Sequence, residues 1–331
     1  MIFPFPLRRL AALLPILLLL GADDCDQAPT YAPLPQPLNA LGTTVFEGHL
    51  YVYGGHIDGI HNESVETVSD ETLRLDLDVP GASWERISGI DIPVQQGTLF
   101  SHRGQLYRLG GLTALNAAGE ESDLYSLNDF AAYAPETDTW TPLPPMPEGR
   151  ASGTVAVIDG TLYVMGGWLV ESWTYHDTFL SLNLDARTLN WQESTQPFVV
   201  RDQCGGAVDG LVYVIGGMES GRYLDAPWVY DPQTNAWSMG PELPTEHPFK
   251  GFGCAATVAD GRLYYSGYDG VVYRLSADHA GWEHVFDLAP ARVFMGMAAD
   301  EQGRLIAVGG GVGPAVSPID VVEAIDNGVS P

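Results

Sequence analysis

The stretch Gly160-Thr-Leu-Tyr-Val-Met-Gly166-Gly167 decides the reading of this chain, because it recurs. It appears as Gly48-His-Leu-Tyr-Val-Tyr-Gly54-Gly55, as Gly104-Gln-Leu-Tyr-Arg-Leu-Gly110-Gly111, and as Gly210-Leu-Val-Tyr-Val-Ile-Gly216-Gly217. A fifth copy, Gly261-Arg-Leu-Tyr-Tyr-Ser-Gly267-Tyr268, has lost one glycine of the closing pair, and a sixth, Gly303-Arg-Leu-Ile-Ala-Val-Gly309-Gly310, has lost its tyrosine. The leading glycines lie 56, 56, 50, 51 and 42 residues apart. Alternating apolar residues closed by glycine are a short strand ending at a turn, and a period near fifty marks an array of like units.

Working outward, each of the first five copies is followed by a second apolar strand, a turn and a tryptophan: Trp84, Trp140, Trp191, Trp237 and Trp282. The turns, such as Pro135-Glu-Thr-Asp-Thr-Trp140, carry tight-turn chemistry, and a Pro-rich exit follows, as in Thr141-Pro-Leu-Pro-Pro-Met-Pro147. Double glycine, tyrosine and tryptophan in this phase resemble the kelch repeat. The resemblance implies an all-β, six-bladed kelch-type β-propeller over residues 30–326, each blade a four-stranded antiparallel sheet stacked on its neighbours. The sixth repeat has strands near residues 295–299, 305–308 and 321–325 but no tryptophan strand. The segment Tyr31-Ala-Pro-Leu-Pro-Gln-Pro37 matches the Trp140 exit, with tyrosine in the tryptophan position. An N-terminal strand is therefore expected to close the ring.

The first residues form a separate object. Arg8 and Arg9 precede an apolar run from Leu10 to Leu20, then Gly21-Ala22 and Asp23-Asp24. That is the layout of an export signal over residues 1–22, with a short linker at 23–29 and a tail at 327–331. Cleavage after Ala22 is expected; lipid attachment at Cys25 is the alternative, against which stands Asp24 where such signals carry a small residue. The apolar run is too short to span a bilayer comfortably. The expected location is periplasmic, extracellular or cell-surface, without a transmembrane segment in the processed chain and as a monomer.

The formal charge is −27, and Lys250 is the only lysine. A field of that sign argues against nucleic acid and anionic membranes as partners.

In antiparallel blades the loop after the second strand and the link to the next blade emerge on one face. The loops at 56–69, 112–128, 168–177 and 218–227 are long and irregular, and the links carry Arg150, Arg201, Lys250 and Arg292. Together with Trp168, Trp173, Tyr175, Phe198 and Phe249 these four cations are expected to form a ligand-binding rim. The competing expectation is that each pairs with a neighbouring carboxylate and holds blades together.

His56, His61 and His176, with Asp58, Glu63 and Asp177, lack a regular ligand spacing, and Gly119-Glu-Glu-Ser-Asp123 lacks the alternating carboxylates of a calcium loop. No metal and no cofactor are expected. Cys204 and Cys254 fall near the starts of inner strands in adjacent blades, leaving a disulfide and two buried thiols both open.

Kelch propellers serve as adaptors, sugar binders and enzymes alike, so the fold does not choose between them. The leading expectation is an exported binding module for a carbohydrate or protein ligand. Arg201-Asp202-Gln203 resembles a tripeptide of the exported sialic acid mutarotases. That resemblance implies an alternative sugar mutarotase or epimerase, with Arg201 holding a carboxylate and Glu148, Glu171 or Asp202 moving protons. A structural surface protein is the third expectation.

Overall fold

A computed structural model describes residues 31–89 and 92–325. The expected leader, linker, Cys25 and C-terminal tail lie outside the described residues. Within them the chain forms six antiparallel sheets in sequence order, the first five four-stranded and the sixth three-stranded, and four two-stranded hairpins beside them. The innermost strands are Gly42–Phe46, Thr98–His102, Thr154–Ile158, Cys204–Val208, Ala255–Ala259 and Gly296–Ala299. Each touches the next, and the sixth returns to the first, so the sheets are blades around an axis. Among the described residues no helix is long and apolar enough to cross a membrane.

The repeat explains this packing. The alternating apolar positions of the second strand put one set of side chains against each neighbouring blade, and the buried clusters lie between blades. Tyr51, Tyr53, Leu106 and Tyr133 join the first blade to the second, for example, and Tyr213, Leu263 and Tyr265 join the fourth to the fifth. Tyr53 and Tyr265 are each 1% exposed, and burying one such ring contributes about 2–3 kcal/mol. The glycine pairs act at the turn after this strand. At Gly54 φ is +58°, and a Cβ there would lie 2.0 Å from the carbonyl oxygen of Val94.

Tryptophan on the outer strand ties blades one, two, three and five to the exit of the blade before. The indole nitrogens of Trp84, Trp140, Trp191 and Trp282 donate to the carbonyls of Ala32, Ser88, Pro144 and Pro241 at 2.9–3.3 Å. Ala32 thus takes the place of a blade exit, and the N-terminal segment closes the ring onto the sixth blade. Leu34 N–H donates to Asp320 and Leu38 N–H to Ile319. These bonds correct one detail of the expected register. Leu34 corresponds to Met146 and Leu243, whose amides donate to Asn128 and Asp225. The tryptophan-equivalent position therefore precedes Tyr31 and falls outside the described residues.

Candidate functional site

Two residues before every inner strand the chain takes a left-handed turn. Ala40, Gln96, Ser152, Asp202, Gly253 and Phe294 have φ between +48° and +63°, all but one without glycine's freedom. Their backbones form a girdle. Ala40 N–H donates to Phe294, Phe294 to Gly253, Gly253 to Asp202, Gln96 to Ala40 and Ser152 to Gln96, at 2.7–3.4 Å. The circle closes where Asp202 N–H donates to the Ser152 hydroxyl at 3.2 Å. Along the axis on one side lies a channel of about 390 Å³ lined by all six inner strands. On the other, loop side opens a mouth of about 450 Å³.

Arg201 is the only arginine or lysine among the described residues lining that mouth. Its guanidinium carbon lies 4.7 Å from the Trp168 ring centre and 5.4 Å from that of Phe252, a placement over aromatic faces favourable to a cation. Its Nε donates to the Tyr175 hydroxyl at 3.3 Å, and Nη1 is paired with Asp202. The Asp202 side chain is 1% exposed, and its other oxygen accepts from the Gln96 amide at 2.9 Å across the axis. Burial pushes the Asp202 carboxyl up, and the charge of Arg201 pulls it back. Asp202 is thereby an anchor for Arg201, with both oxygens occupied. Around this centre stand Trp173, 67% exposed and edge-on to Trp168, and His56, whose buried Nε2 has no partner.

Arg150 and Arg292 do not reach the mouth, contrary to the four-cation rim. A single residue of register decides this. Arg201 itself bridges to Met218 at the first position of the link, whereas in blades three and six that position is Ala151 and Val293. Arg150 and Arg292 sit one residue earlier and point the opposite way, since side chains alternate along extended backbone. Arg150 is 4% exposed and donates to the carbonyls of Gly166 and Thr178; burial pulls its pKa down to about 10. Arg292, 1% exposed, pairs with Glu323 at 2.9 Å. Lys250 is held by Asp225.

Of the other side chains singled out by sequence, His56, His61 and Glu63 line the mouth, whereas the proton-transfer candidates Glu148 and Glu171 do not. Glu148 faces His176 Nδ1 at 3.6 Å, and Glu171 accepts the Ser126 amide at 3.0 Å. Phe198 is buried, stacked on Trp228. Among the described residues no group of three or more His, Cys, Asp or Glu is arranged to hold a metal.

The kelch motif family model matches residues 202–244, which span most of blade four. Kelch-like protein terF of Aspergillus terreus is 25% identical over 91% of this chain and 71% of its own length. Kelch-like protein 15 of Danio rerio is 32% identical over 49% of this chain and 28% of its own. The chain is a kelch-repeat β-propeller. Its fold is similar to that of a solved structure described as YjhT, at a TM-score of 0.70 with 16% identity, over 88% of this chain and 95% of the other. That likeness concerns the fold alone.

In this kelch propeller Cys204 and Cys254 are joined by a disulfide across blades four and five, with Cα atoms 5.5 Å apart. Inner strands draw together near the axis, within bridging reach. The girdle is the feature that sequence reasoning missed. Its residues are of six different types, so only their fixed place two residues before each inner strand marks them.

Proposed function

We propose that this kelch propeller is an exported binding module that takes a carbohydrate or protein ligand at its loop-face mouth, with Arg201 as the central contact. One observation carries the proposal: a guanidinium set between two aromatic faces and a tyrosine hydroxyl, anchored from below by Asp202, in a cavity with no second arginine or lysine among its described lining residues. Anchoring fixes the fork of donors before a ligand arrives, which lowers the ordering cost of binding. Arginine suits carboxylates and other anionic oxygens, and the exposed Trp173 offers a flat face to sugar rings or aliphatic chains, while the buried Trp168 backs Arg201. Export rests on the basic–apolar–small layout of residues 1–22. Adaptor and interaction roles are common for kelch propellers, and both named relatives are called kelch-like proteins.

A sugar mutarotase is the second reading, favoured by one observation: Asp202 is a desolvated carboxyl group beside Arg201 in the mouth. Both of its oxygens are already partnered, which suits positioning better than proton transfer. Screening wild type and Arg201→Gln on glycan and peptide arrays tests the binding reading. Glutamine keeps an amide donor for Asp202, so loss of signal in the variant reports the mouth and not the fold. Equal signals would overturn the proposal.

A further inference from the structure

The wall of loops around the mouth is not level. Between second and third strands, blade one inserts residues 54–71, blade two 110–129, blade three 166–177, blade four 216–227 and blade six 309–321. Blade five inserts only residues 267–270. There Tyr268 replaces the second glycine of the repeat, and neither Gly267 nor Tyr268 has the positive φ of the other pairs. The chain turns straight back into the third strand, and the wall has a notch.

Aromatic rings pave that notch in a continuous row. Phe294 meets Phe252 with ring centres 5.6 Å apart, Phe252 meets Tyr223 at 5.7 Å, and Tyr223 meets Phe249 at 5.3 Å. Phe249 meets Tyr268 at 4.9 Å, and His247 stacks on Tyr268 at 5.0 Å. Phe294, Phe252, Tyr223 and Tyr268 line the mouth, while Phe249, 40% exposed, stands at the outer end. None of the six belongs to the buried clusters that hold blade to blade. Packing of the propeller therefore does not account for the row, and Phe252 within it lies against Arg201.

We infer that the row is an extended subsite for an oligosaccharide, whose terminal unit sits in the mouth and whose following units leave through the notch over Phe252, Tyr223 and Phe249. The inference rests on the binding reading above and narrows its ligand to a polyhydroxylated chain. Aromatic rings hold the C–H faces of sugar rings, and this row runs without a break from the mouth to the exposed Phe249. A peptide backbone would need a strand edge to pair with; blade five projects no hairpin, and the hairpin that carries Tyr223 has strands of only two residues each.

The test is an array of neutral and acidic oligosaccharides graded from single sugars to hexamers, with a peptide array in parallel, probed with wild type, Phe249→Ala and Arg201→Gln. In wild type, affinity should rise with chain length. Phe249→Ala should lower affinity for the longer chains about tenfold, the loss of one ring's contact, and leave single sugars unchanged. Phe249 is exposed, and an unshifted melting curve confirms that the fold is kept. Binding without length dependence in wild type, a uniform effect of Phe249→Ala, or signal on peptides alone each overturns the inference. If Arg201→Gln binds as wild type while Phe249→Ala still removes the length dependence, the row stands and the Arg201 reading falls.

Discussion

Arg292 separates the two meanings that a cation in an inter-blade link can have. Its side chain is fully buried, Nη2 lies 2.9 Å from Glu323 and Nη1 donates to the Pro290 carbonyl at 3.3 Å. Replacing it with methionine keeps much of the volume but strands the Glu323 carboxylate. Removing one partner of a buried pair costs about 3–5 kcal/mol, and the low end applies because the Glu323 side chain is 24% exposed and retains some water. With an unfolding entropy of about 2.1 cal/mol/K per residue over roughly 300 residues, a loss of about 3 kcal/mol lowers Tm by about 5 °C. The Arg292→Met, Glu323→Leu double variant should recover most of that loss, because no charge is left behind. Thermal melts of the wild type, both single variants and the double variant form the assay. Arg292→Met melting with the wild type, or a double variant no better than the single, would refute the strut assignment.

Two further outcomes follow from the same packing. The Cys204–Cys254 bridge closes a loop with a sequence separation of 50, worth about 4 kcal/mol of restricted unfolded-state entropy. The double Cys→Ala variant should therefore melt several degrees lower, and an unchanged Tm would contradict the bridge. Burial, helped by Arg150, pulls the His176 pKa from its ordinary 6.5 down to about 4. Its stabilising effect is present in full above pH 6.5 and is lost as pH falls from there towards 4, up to about 3 kcal/mol. His56, pulled the same way by burial, adds to the loss, and Asp202, pushed up, opposes it. Wild-type Tm should drop over that window and His176→Gln should drop less; parallel profiles would rule the histidine out.

The repeat made the fold legible, because glycine pairs and tryptophans mark strand ends by steric need and not by ligand chemistry. Blade number, loop face and the N-terminal closure all follow from that phase. Of the residues that the sequence singled out, Arg201, Asp202, Trp168, Trp173, His56, His61 and Glu63 line the mouth, with Tyr175 bonded to Arg201. Arg150 and Arg292 were misassigned because a link of varying length hides a one-residue shift, and one residue exchanges inside for outside. Tyr31 was misplaced for a related reason, its Pro-Leu-Pro exit fitting more than one register. The aromatic row escaped notice because its members come from blade four, two links and blade five, and only the fold brings them together.

The most direct test of the account is calorimetric titration with the tightest-binding array compound against wild type, Arg201→Gln and Arg292→Met, at a temperature where all three are folded. A charge-assisted hydrogen bond is worth about 1.5–3 kcal/mol, so Arg201→Gln should raise Kd by about ten- to a hundredfold with little change in Tm. Arg292→Met, though less stable, should bind as wild type. Wild-type affinity in Arg201→Gln, or an equal loss in both variants, would contradict a ligand held at the mouth by Arg201.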